Sequence, residues 1–144
     1  MEVRAKKALG QHFLTDQSIA KAIVAALEPA EAGSTDVLEI GPGMGVLSQY
    51  LLQREDIDLK MIEIDTESVE YLQKHFPDAA DKVIYGDFLK LDIDHLFSGS
   101  FNVIGNFPYN ISSQIFFCIL DYKDRIPQTV CMIQKEVAER IAEK

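Results

Sequence analysis

Asn106-Phe107-Pro108-Tyr109 brings together a primary amide, a stiffened backbone and a flat aromatic face. Asn106 offers a side-chain carbonyl oxygen as an acceptor. Pro108 fixes its own φ and drives Phe107 toward an extended conformation, which turns the Phe107 carbonyl toward the same space. Two acceptors side by side suit a planar amino group, and Tyr109 supplies a face on which a base can stack. The plainer reading of these four residues is a strand-terminating turn with a core tyrosine.

A second group of residues suits a nucleotide-like cofactor. Gly41-Pro42-Gly43-Met44-Gly45 follows the apolar run Val37-Leu38-Glu39-Ile40 and precedes a helical pattern with Leu47, Tyr50 and Leu51 on one side. Glycines at a strand-to-helix turn let the backbone approach a ligand and let the helix pack closely on the strand. Glu63 stands 63 − 43 = 20 residues after Gly43, where an acidic side chain can accept from both hydroxyls of a ribose. Asp87 closes the next apolar run and can accept from an adenine amino group. A glycine loop by itself is equally well a structural turn, but strand-end features in successive units point together to a cofactor site. The dinucleotide fingerprint wants a small residue at position 46, where this chain has Val46, and Pro42 removes a backbone donor for a pyrophosphate. S-adenosylmethionine, with a ribose and an adenine but no phosphate, suits the loop better, and a nicotinamide-binding domain is the alternative.

The elements that must position these groups alternate. Ile19, Ile23 and Leu27 recur along a first helix that Asp16 can cap, with Pro29 beyond its end. Strands are expected at 37–40, 59–64, 83–85, 101–104 and 129–133. Helices fall between them: one after the glycine loop, one capped by Asp65 or Thr66 and bearing Val69, Leu72 and Phe76, at most a short one at 92–97, and one that Ser112 can cap, with Ile115, Phe116, Ile119 and Leu120 on one face. Val137 and Ile141 begin another. Such alternation predicts an α/β fold with a parallel sheet, strand order 3-2-1-4-5. Residues 1–15 read as a polar, basic lead-in and residues 16–144 as the core. The core is expected to stop after its fifth strand, because the helical pattern runs to residue 144 without a cap or a proline.

Composition narrows the function classes. The 144 residues carry a formal net charge of −9, which argues against a protein that coats nucleic acid by charge alone. Arg4, Lys6 and Lys7 form a basic lead-in that can touch phosphates or stay solvated. Cys118 and Cys131 sit in apolar surroundings and read as reduced core residues. His12, His75 and His95 lack metal-ligand spacing, and no run approaches membrane-spanning length. A cytoplasmic protein without a metal is expected. The helix bearing His75 reads as an ordinary amphipathic one, and Phe116-Phe117 as core rather than an RNA-stacking platform.

Gly10-Gln11-His12-Phe13-Leu14, Glu39-Ile40-Gly41-Pro42-Gly43, Glu63-Ile64-Asp65, Gly86-Asp87 and Asn106-Phe107-Pro108-Tyr109 stand in an order and spacing that resemble the ribosomal RNA adenine dimethyltransferases. Among these the chain is most similar to those that act on small-subunit (16S) RNA. The resemblance implies a Rossmann-like S-adenosylmethionine-dependent methyltransferase fold, with His12, Leu14, Gly41, Gly43, Glu63, Asp87 and Asn106 around the cofactor. It implies catalytic roles for Asn106, Phe107, Pro108 and Tyr109, and N6-dimethylation of two adjacent adenines near the 3′ end of small-subunit ribosomal RNA, within a pre-ribosomal particle. Two positions depart from the family pattern, which more often has Asn at 12 and Leu at 107; Phe107 is expected to narrow the pocket. The family also continues into further strands and a small helical domain. Without them this chain is expected to bind cofactor, methylate poorly, and self-associate through an exposed fifth strand.

The chemistry that these residues suit needs little acid–base help. The N6 lone pair of adenine is delocalised into its ring, so acceptors on its hydrogens, from the Asn106 side chain and the Phe107 carbonyl, would stabilise the charge that develops on nitrogen, typically by roughly ten- to thousandfold in rate. Tyr109 would stack the flipped base. In-line transfer from a sulfonium needs orientation most of all, so no general base, metal or covalent nucleophile is assigned. Two rivals stand beside this reading: an amino-group methyltransferase acting on DNA or protein, and a non-catalytic RNA-binding or ribosome-assembly factor that keeps the fold.

Overall fold

The computed structural model describes residues 17–28, 35–107 and 112–132. Strands β1 (Thr35–Ile40), β2 (Ile57–Glu63), β3 (Val83–Tyr85), β4 (Asn102–Asn106) and β5 (Thr129–Met132) form one sheet in the order β3-β2-β1-β4-β5. Every pairing is parallel. The helices are α1 (Gln17–Ala26), α2 (Ser48–Leu51), α3 (Thr66–His75), α4 (Ile93–Leu96) and α5 (Ser112–Asp121), with 3-10 turns at Pro77–Lys82 and Phe88–Lys90. Parallel neighbours need a crossover between them, and β1 lies between β2 and β4, so the chain reverses direction across the sheet there.

Alternation along the strands splits the core between two faces. Val37, Leu59, Met61 and Ile104 pack with Ala20, Val24 and Leu27 of α1, Leu51 of α2 and Val69 and Leu72 of α3. Leu38, Ile40, Ile62 and Val103 pack on the other face with Phe88, Phe97, Phe101, Phe107, Ile115 and Ile119. Each such side chain contributes about 1.5–3 kcal/mol when fully buried. Asp65 sets the start of α3: it accepts from Ser68 N at 3.1 Å and from Ser68 Oγ at 2.9 Å. A cap of this kind is worth about 1 kcal/mol. Cys118 and Cys131 are half-buried, and burial pushes the Cys131 thiol up to about 11, which leaves it inert at neutral pH.

The strand order and the third strand match expectation, and several details differ. β4 begins one residue later than expected and runs on through Gly105 and Asn106, because Gly105 pairs with Ile40 and Asn106 with Met132. In α1 the buried stripe is Ala20, Val24 and Leu27, while Ile19 is exposed; the small Ala20 lets the helix sit close to the sheet. In α5, Ile115 and Ile119 are buried, Phe116 packs at the edge of the core, and Leu120 is exposed. Ser112 is the first residue of α5, and Phe117 is 39% exposed rather than core. His75 lies on the wet edge of α3, stacked on Tyr71 with ring centroids 3.8 Å apart. Among the described residues no helix is long and apolar enough to cross a membrane. Among the described residues β5 is the last strand of the sheet, as expected; the basic arm, residue 133 of the expected fifth strand and the helix expected after it lie outside the described residues.

Candidate cofactor and methyl-transfer site

The residues singled out from the sequence converge on the carboxyl edge of the sheet. Gly41, Gly43 and Gly45 have φ of 69, 59 and 84°, in the left-handed region that side-chain-bearing residues avoid. Their roles differ. A Cβ on Gly45 would stand 2.7 Å from the Phe76 ring, so Gly45 is where the loop passes against α3. Gly41 N–H donates to the Ile62 carbonyl at 2.9 Å and carries the β1–β2 ladder one step past the strand. That step places Gly41 level with Glu63 on β2 and Asn106 on β4, given the Ile40–Ile62 and Ile40–Gly105 pairings. The middle position of the row has no side chain. A notch results, about 10 Å wide by strand spacing, with a carboxylate on one wall and an amide on the other.

Glu63 is buried, and its carboxylate is held by the backbone. Oε1 accepts from Gly43 N at 2.9 Å, and Oε2 accepts from Ile64 N and Asp65 N, each at 3.1 Å. These bonds fix the acid at the end of β2 and tie the glycine loop to it. Asp87 follows β3, where its Oδ1 accepts from Leu89 N at 3.0 Å and caps the turn Phe88–Lys90. Asn106 is half-buried at the last position of β4.

Phe107 departs from its assigned place. Its side chain joins the core on the opposite face and meets Phe116 edge-on at 5.5 Å between ring centroids. The ring therefore does not narrow the pocket, and any contribution to the site comes from its backbone. Alternation explains this, since Phe107 is one residue past Asn106 and points the other way. His12, Leu14, Pro108 and Tyr109 lie outside the described residues.

One site residue carried no assigned role in the sequence. Glu39 lies two positions below Gly41 on the same face of β1, fully buried, and Ser48 Oγ at the start of α2 donates to its Oε1 at 2.6 Å. Burial raises its pKa from 4.5 to about 8; the Ser48 bond opposes that rise and the charge on Glu63 adds to it. At neutral pH Glu39 is a neutral acid forming the floor of the notch. The signal available in the sequence was an acidic residue inside the otherwise apolar run Val37-Leu38-Glu39-Ile40.

Comparison with known proteins settles the relationship. The model of the family described as ribosomal RNA adenine dimethylase matches residues 2–144. The chain belongs to the ribosomal RNA adenine dimethylase family. Proteins named ribosomal RNA small subunit methyltransferase A are similar to it: that of Parabacteroides distasonis is 59% identical over 140 residues, covering 97% of this chain and 52% of the relative. That of Cytophaga hutchinsonii is 56% identical over 143 residues, covering 99% and 55%. This dimethylase-family chain therefore spans about half the length of the curated relatives it matches. Among solved structures, the 23S rRNA methyltransferase ErmE superposes with a TM-score of 0.70 at 26% identity, over 85% of this chain and 48% of that one. A dimethyladenosine transferase from Plasmodium falciparum gives 0.64 at 28% identity, over 87% and 43%. The fold of the dimethylase chain is thus the Rossmann-like methyltransferase fold.

Proposed function

We propose that the chain binds S-adenosylmethionine at the carboxyl edge of its sheet and carries the methyl-transfer site of an enzyme that dimethylates N6 of two adjacent adenines near the 3′ end of small-subunit ribosomal RNA. Family membership and the names of the relatives support the reaction. The observation that carries the cofactor assignment is the direction of the Gly43 N–H. In a dinucleotide site the loop amides face a pyrophosphate; here that amide donates to the Glu63 carboxylate, with Glu39 beneath it. A carboxylate that already takes the loop amide leaves that amide no hydrogen bond for a phosphate, and it suits a phosphate-free ligand with hydroxyl donors.

The residues present fit that ligand. Glu63 would accept from the ribose hydroxyls, Asp87 from the adenine amino group, and Gly41 and Gly43 would let the ligand lie against the backbone, with His12 and Leu14 closing over it. S-adenosylmethionine supplies an electrophilic methyl group on a sulfonium. The chain's own part is to hold the acceptor: the Asn106 side-chain oxygen and the Phe107 carbonyl take the N6 hydrogens and stabilise the developing charge, while Pro108 stiffens the turn and Tyr109 stacks the flipped base. With a formal net charge of −9, recognition of RNA rests on local contacts, including the basic arm, and on a preformed ribosomal surface in the cytoplasm.

Calorimetric titration tests the reading. S-adenosylmethionine should bind and NAD should not, and Glu63→Ala should weaken the former by about 1–3 kcal/mol, the cost of unpaired polar groups. Unchanged affinity in a folded Glu63→Ala variant, or binding of NAD alone, would overturn the assignment.

A further inference from the structure

Glu39 is a buried acid with a single hydrogen-bond partner among the described residues, the Ser48 hydroxyl. A carboxylate offers about four acceptor sites, and the Ser48 hydroxyl fills one of them. Glu63, one strand away on the same face, accepts from three backbone N–H groups. The two acids thus differ in their partners: Glu63 accepts from three backbone N–H groups, whereas Glu39, buried with one hydroxyl partner, favours its neutral form until a positive charge arrives nearby. Among the described residues, Glu63 is the one titratable group whose charge acts on Glu39; Ser48 of α2 supplies the hydrogen bond.

We propose that Glu39 distinguishes the sulfonium methyl donor from its demethylated product, which carries one positive charge fewer, losing its proton to solvent when the donor fills the notch and regaining one when the product does. The inference rests on the functional reading above. The balance is simple. Donor binding leaves a carboxylate facing a sulfonium and releases a proton to the buffer. Methyl transfer breaks the carbon–sulfur bond, whose electron pair stays on sulfur as a thioether, and the N6 nitrogen sheds its own proton. With the sulfonium charge gone, and only the zwitterionic moiety common to both ligands left, the buried carboxylate takes a proton from solvent, which weakens the hold on product relative to donor. Glu39 acts here as a specificity-determining residue without forming a bond to the reacting atoms.

Titration calorimetry of S-adenosylmethionine and S-adenosylhomocysteine, each in buffers of differing ionisation enthalpy, reads the proton directly. In the unmodified protein at pH 7, donor binding should release close to one proton more than in Glu39→Gln, which keeps a hydrogen bond to Ser48 but cannot ionise. Product binding should show no such difference. The preference for donor over product should rise about tenfold between pH 6 and 7, level off above pH 8, and be flat in Glu39→Gln. Difference infrared spectroscopy on the unmodified protein gives a readout independent of how the variant folds: the protonated carboxylic acid band should vanish with donor and persist with product. Equal proton release by protein and variant, or a band that responds alike to both ligands, overturns the inference while leaving the cofactor assignment intact. Failure of both ligands to bind overturns the functional reading, and this inference with it.

Discussion

On the face of the sheet that carries Glu39, Glu63 and Asn106, apolar side chains give way to polar ones near the carboxyl edge. On the opposite face Ile40, Ile62 and Phe107 keep the core apolar to the end of the strands. The same strands supply both faces, one residue out of step. A single-residue offset therefore separates chemistry from packing: Asn106 faces the notch and Phe107 the core, and Glu39 faces the notch while Leu38 and Ile40 do not. A site built this way has a rigid back wall, because the residues between its functional groups are the ones that hold the sheet together.

The largest effect that sharpens this contrast comes from Glu39. Its folded pKa of about 8 lies above the 4.5 of an unhindered carboxyl, so the folded protein keeps that proton to higher pH than the unfolded chain does. Its contribution to stability is fully present below pH 4.5 and is lost as the pH rises through 8. Urea unfolding across that range should show the stability falling relative to Glu39→Gln by on the order of 5 kcal/mol. A parallel pair of pH profiles would mean that Glu39 is charged throughout.

A somewhat smaller loss is expected at the seam between the faces. A Cβ on Gly105 would stand 2.3 Å from the Ile40 carbonyl oxygen, a backbone atom that cannot swing aside. Gly105→Ala should cost about 3 kcal/mol by forcing β1 and β4 apart. Gly99→Ala, with nothing within 4 Å of its added methyl, should stay within about 0.5 kcal/mol of the parent. Equal midpoints for the two variants in thermal melts would show that the strands part easily.

The smallest effect tests the apolar face. Phe107→Leu should cost about 1 kcal/mol through loss of the edge-on contact with Phe116, and change S-adenosylmethionine affinity less than twofold. A marked change in affinity would place the ring in the site after all.

Much of this was legible in the sequence, and particular residues show why the rest was not. Val83-Ile84-Tyr85 is a strand by composition and a strand in the structure. The end of β4 was under-read because glycine and asparagine are poor strand formers; pairing on both sides holds Gly105 and Asn106 in the sheet regardless. In α1, two stripes share Leu27, one through Ile19 and Ile23 and the other through Ala20 and Val24. Hydrophobicity favours the first, but the distance to the sheet selects the second. Glu63 was marked by its spacing from the glycines. Its hold on the loop amide, and the neutral state of Glu39, depend on partners that only the folded chain brings near.

The side-chain amide of Gln128 pairs with the backbone of Glu28: Oε1 accepts from Glu28 N at 2.8 Å and Nε2 donates to Glu28 O at 3.2 Å. The two residues are 100 positions apart, so this small clasp has a kinetic meaning. Its closure joins the end of α1 to the turn before β5, and long-range closures of this kind slow folding without adding much to final stability. Arg54, which takes the Val24 and Leu27 carbonyls at 2.9 and 2.8 Å, can seat the end of α1 much earlier. The first helix is thus fastened twice, by a contact 30 positions away and by one 100 away, and pulse-labelled hydrogen exchange at the Glu28 amide should show the second fastening closing after the first.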